Sequence, residues 1–101
     1  MIVISKEMTA AIERAIRSVP EGDRIRSMQL FGSRLRGDHT TASDYDFLVV
    51  TDGTIGIFAF VGIKHALEDA LGAKVDLCTP QGIHPVLKNK VLSSAKTVYE
   101  R

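Results

Sequence analysis

The segment Asp44-Tyr45-Asp46-Phe47-Leu48-Val49-Val50 drives two acids straight into the most β-prone run of the chain. Side chains two apart on a strand share a face and lie about 7 Å apart. Asp44 and Asp46 therefore aim into one volume with Leu48 and Val50, while Tyr45, Phe47 and Val49 take the other face. Two ionised carboxylates side by side at the margin of a core repel each other and lose hydration. Something positive must offset that cost, either arginine side chains or a divalent cation.

The remaining pattern supplies the frame around this strand. Ser5 is placed to cap a helix running to about Val19, with Met8, Ile12, Ala15, Ile16 and Val19 on one stripe. Pro20-Glu21-Gly22-Asp23 ends it, and Arg24 to Phe31 reads as a strand with Met28 and Leu30 on one face. Gly32 to Thr41 is a loop, or a loop that opens a short helix at Ser33, and Asp44 to Thr51 is the second strand. Ile57 to Leu71 is helical, with Phe60, Ile63, Leu67, Ala70 and Leu71 sharing a face and Gly72 as its stop. Lys74 to Cys78 is a short third strand, Pro85 opens a last helix to about Ser94, and Thr97-Val98-Tyr99 adds an edge strand. This order predicts an α+β fold, a small mixed β-sheet with helices packed against it.

With 101 residues the expectation is a single domain, 1–101, whose folding removes roughly 65% of the unfolded surface. Thirteen basic against twelve acidic residues give a net charge of +1, which argues against a protein that coats nucleic acid. Cys78 is the sole cysteine, so no intrachain disulfide forms. No apolar run approaches the roughly 20 residues of a membrane span, and the expectation is a cytoplasmic protein.

Asp76 sharpens the meaning of the acids. It stands between Val75 and Leu77 in the short third strand, again an odd place for a lone carboxylate. Paired beside Asp44–Thr51, that strand brings three carboxylates together, a hard oxygen site of the kind that holds Mg²⁺. Two such ions stabilise both the attacking and the leaving oxygen in phosphoryl transfer. Gly32-Ser33 supplies the complementary half: the glycine lets the backbone approach a ligand, and the serine offers a hydroxyl beside free N–H groups. Phosphate above and metal below read as a site for a nucleoside triphosphate.

Gly32-Ser33, ten residues and then Asp44-Tyr45-Asp46 resembles the G-S-x10-D-x-D signature of minimal nucleotidyltransferases, within the DNA polymerase β-like superfamily. "GSRLRG" is similar to their common GSRARG, with Leu35 where alanine is usual. Lys74 to Glu100 is similar to the family's closing segment, whose V-D-L strand carries the third carboxylate. The resemblance implies the polymerase β palm-like nucleotidyltransferase fold. It also implies attack of an acceptor hydroxyl on the α-phosphate of ATP with release of pyrophosphate. Asp44, Asp46 and Asp76 would hold the metal, Asp76 would also help deprotonate the acceptor, and Gly32 and Ser33 would hold the triphosphate, with Arg34 and Arg36 as further phosphate candidates.

Each residue also has a plainer reading. A capped strand with two solvated acids explains Asp44 and Asp46 taken alone, and loop arginines are usually solvated. His39 reads as a loop histidine, His65 as a surface residue and His84 as a residue preceding the last helix. No Cys/His spacing suits zinc, and Lys88 and Lys90 read as a solvated helix face. Phe58, at an unusually apolar helix start, is either core or part of an interface.

The cradle and carboxylates account for most of the chain, leaving no segment to build an acceptor pocket. The resemblance points to the antitoxin half of HEPN/MNT toxin–antitoxin modules, in which a tyrosine hydroxyl of the HEPN ribonuclease partner receives AMP. The expectation is a hetero-oligomer that touches neither nucleic acid nor membrane directly. Two other readings stay open at this level: a non-catalytic antitoxin acting by occlusion, and nucleotidyl transfer to a small molecule.

Overall fold

A computed structural model describes residues 5–32, 34, 40, 43–83 and 85–101. Helix α1 spans Lys6–Arg17, where the Ser5 hydroxyl accepts from the Met8 N–H at 3.1 Å. Glu7 in its first turn and Arg14 and Arg17 in its last match the helix dipole. It stops short of Val19 because Ser18 caps it, turning its hydroxyl onto the Ala15 carbonyl at 2.7 Å. Helix α2 is Ile57–Leu71, closed by Gly72 in the left-handed region at φ 67°, and helix α3 is Pro85–Ser94.

Four strands form one sheet: β1 Ile25–Phe31, β2 Tyr45–Thr51, β3 Val75–Cys78 and β4 Lys96–Glu100. The order is β3-β2-β1-β4, with β1 antiparallel to β2 and β4, and β2 parallel to β3. The expected mixed α+β architecture is therefore realised. A bulge between Ile25 and Ser27 repairs the alternation of β1, so that Ile25, Met28 and Leu30 all turn inward.

Alternation divides the sheet into two unlike faces. Phe47 and Val49 of β2, Val75 of β3 and Val98 of β4 pack with Ile12, Ala15 and Ile16 of α1 and Ile63 and Leu67 of α2 into one buried core. Ala70, expected on that face, is exposed. The other face carries two cross-strand rows, Phe31–Asp46–Asp76 and Gln29–Leu48–Cys78. Among the described residues, no helix is long and apolar enough to cross a membrane.

Candidate active site

Strand register decides the site. Asp46 of β2 is the direct partner of Asp76 in the parallel ladder, so the two carboxylates leave neighbouring strands on one face, across a strand spacing of about 4.8 Å. Two contacts hold that alignment. The Tyr45 N–H donates to the Lys74 carbonyl at 2.9 Å, and the Val75 N–H donates to Glu68 Oε2, on the last turns of α2, at 3.0 Å. Asp76 is exposed and Asp46 half-buried.

Gly32 closes in from β1. It follows Phe31, the β1 partner of Asp46, and turns at φ 81°. A Cβ built on it would fall 2.2 Å from Asp46 Oδ2, so only glycine leaves the carboxylate its space. Cys78, one row along, senses both acids: burial, then Asp76 and Asp46, push its thiol above the ordinary value.

Asp44 lies just ahead of β2 rather than inside it, and is exposed. Among the described residues, no group of three His, Cys, Asp or Glu side chains is gathered as for a metal ion. The structure thus pairs two of the three expected carboxylates and leaves the third beside them in the chain. Ser33, Arg36, His39 and His84 lie outside the described residues. The paired donors are carboxylate oxygens, a hard set suited to Mg²⁺. With the space that Gly32 keeps clear beside Asp46, they fit a divalent cation whose remaining shell comes from phosphate and water.

Arg34 goes elsewhere. Its Nε and Nη2 donate to the Ser43 carbonyl at 3.2 and 3.0 Å, its Nη1 to the Tyr45 hydroxyl at 3.4 Å, and its Cζ lies 4.3 Å from the centre of the Tyr45 ring. Tyr45 packs against the core on the helix-covered face, opposite Asp46. Sequence reasoning missed Ser43, Tyr45 and Glu68 as residues that shape the site. Only Tyr45 carried a signal, its position between the two acids.

A separate cleft of about 590 Å³ opens at the far ends of β2 and β3, lined in part by Val50, Thr54, Ile55, Phe60 and Pro80. Ile57 in its lining and the neighbouring Phe58 stand 69% and 91% exposed, which places Phe58 outside the core. His65, Lys88 and Lys90 are on the surface, as expected.

A half-covered sheet with paired acids beneath a glycine turn is the frame of a nucleotidyltransferase. The family model described as "Polymerase beta, Nucleotidyltransferase" matches residues 13–101, and the chain belongs to that family. A Methanocaldococcus jannaschii protein provisionally named a protein adenylyltransferase is 35% identical over 73% of this chain and 80% of its own length. Protein adenylyltransferase MntA of Thermococcus cleftensis is 35% identical over 73% of this chain and 68% of its own length. A crystal structure of a toxin–antitoxin with AMP-PNP superposes with a TM-score of 0.72 at 26% identity, covering 92% of this chain and 73% of that one.

Proposed function

We propose that this nucleotidyltransferase moves AMP from ATP to a tyrosine hydroxyl of a HEPN ribonuclease toxin in the cytoplasm, and so acts as its antitoxin. The observation that carries the reading is the in-register pair Asp46–Asp76 with Gly32 pressed against Asp46. Relatives named as protein adenylyltransferases and a toxin–antitoxin neighbour with a bound ATP analogue support it.

In this reading Asp44, Asp46 and Asp76 hold Mg²⁺, which when bound neutralises charge on the phosphates and leaving group. Gly32, Ser33 and the neighbouring backbone receive the triphosphate. The acceptor oxygen attacks the α-phosphorus, the bond to the bridging oxygen breaks, and pyrophosphate leaves with that electron pair. Asp76, exposed at the margin of the pair, takes the hydroxyl proton. Such chemistry is chiefly positioning and electrostatics, which a small sheet can supply.

Purified protein incubated with labelled ATP, Mg²⁺ and its HEPN partner should label the partner, and Asp46→Asn should abolish labelling. Absence of label with wild-type protein overturns the reading. The exposed Ile57 and Phe58 favour a protein partner but suit occlusion without chemistry equally well. Occlusion predicts that Asp46→Asn still neutralises the toxin.

A further inference from the structure

The residues around Asp44 are held from both sides: the Ser43 N–H donates to the Thr40 carbonyl at 3.0 Å, the Ser43 hydroxyl accepts from the Thr40 N–H at 2.9 Å, and Arg34 holds the Ser43 carbonyl. Its guanidinium takes the Ser43 carbonyl with two donors while lying over the Tyr45 ring. Tyr45 in turn stacks on Phe47, with ring centres 5.9 Å apart and planes 3° from parallel, and Phe47 is wholly buried. Arg34, Tyr45 and Phe47 thus form a stack that runs from the helical residue Arg34 into the core. The Tyr45 N–H is fixed separately on the Lys74 carbonyl.

Asp44 sits between these anchors. The Ser43 carbonyl and the Asp44 N–H belong to one planar trans peptide, in which they point in opposite directions. A guanidinium that fixes that carbonyl therefore fixes the Asp44 N–H pointing away from itself. It also sets the backbone angle from which the Asp44 carboxylate leaves. The exposed carboxylate has no hydrogen bond or ion pair of its own among the described residues, so the backbone is what aims it.

We infer that Arg34 is a positioning residue: stacked on Tyr45, it presets the Ser43–Asp44 peptide so that Asp44 joins Asp46 and Asp76 when metal and nucleotide bind. The assignment rests on the proposed role of Asp44 as a metal ligand. It departs from the expectation that Arg34 binds phosphate, because Nε, Nη1 and Nη2 each donate to Ser43 or Tyr45, and Tyr45 lies on the opposite face of the sheet from Asp46.

Arg34→Lys keeps the charge and stem but lacks the planar fork. Tyr45→Leu removes the stack, and Tyr45→Phe retains it. Two readouts separate the possibilities. The first is the ¹⁵N order parameter of the Asp44 amide in the protein alone. It should fall in Arg34→Lys and Tyr45→Leu and stay near wild type in Tyr45→Phe, while the Asp46 amide, held in the ladder, is unmoved in all three.

The second is Mn²⁺ affinity by electron paramagnetic resonance with a non-hydrolysable ATP analogue. It should weaken about tenfold or more in Arg34→Lys and Tyr45→Leu, with analogue affinity in chelator unchanged. An Asp44 amide as rigid in Arg34→Lys as in wild type overturns the inference, as does unaltered Mn²⁺ affinity or a loss of analogue affinity in chelator. Wild-type protein that takes up no Mn²⁺ with the analogue overturns the proposed function instead, and this inference with it.

Discussion

Gly32 and Asp46 are closer than any side chain at position 32 would permit, since a Cβ there meets the Asp46 carboxylate oxygen at 2.2 Å. Gly32→Ala adds that overlap to a left-handed backbone that costs an L-residue about 1–2 kcal/mol. The overlap is with the tip of a rotatable side chain, so Asp46 swings aside. Stability should therefore fall by no more than about 2 kcal/mol, read by urea denaturation, while nucleotidyl transfer is lost. Retained transfer would mean that the Asp46 orientation is irrelevant.

Asp46 and Asp76 place like charges directly across a ladder, an arrangement that opposes folding. Of Asp46→Asn and Asp76→Asn, the second should leave stability unchanged or raise it by up to about 1 kcal/mol. Each should also cut transfer by at least about 100-fold. Loss of both stability and activity would assign the acids a structural role.

Cys78 gives a pH-dependent probe of the same charges. Its thiol is raised by burial and by the two acids, so between the ordinary thiol pKa and the raised one it holds less thiolate than a free cysteine. In metal-free protein, the pH midpoint of its alkylation by iodoacetamide should lie above that of a free thiol. Asp76→Asn or Asp46→Asn should move the midpoint down, though not fully, because burial remains. A midpoint insensitive to both substitutions would mean that neither carboxylate faces Cys78.

Leu67 and Phe58 occupy the same helix and should behave oppositely. Leu67 is wholly buried, so Leu67→Ala should cost about 2–5 kcal/mol. Phe58, 91% exposed, should tolerate Phe58→Ser within about 0.5 kcal/mol. Pull-down of the proposed HEPN partner should be weaker with Phe58→Ser than with wild type, and equal capture would mean that this patch is not the interface.

Much of this was legible because it is local. The apolar stripe and Gly72 delimit α2 at the residues observed, and proline at position 85 marks the start of α3. Strand alternation by itself puts Asp46 and Phe47 on opposite faces of β2. What could not be read is non-local. The β1 bulge answers to its pairing with β2, the facing of Asp46 and Asp76 depends on register between strands distant in sequence, and a loop arginine gives no hint that Tyr45 will draw it to the helix side. Asp44, expected inside β2, stands outside because pairing begins only where Tyr45 meets the backbone of Lys74.

The whole of α2 intervenes between the strand that carries Asp46 and the strand that carries Asp76. A polypeptide that stops before β3 holds one acid of the pair and lacks the other. The paired acids thus arise only once α2 has brought β3 back alongside β2, and products cut short before β3 cannot present them.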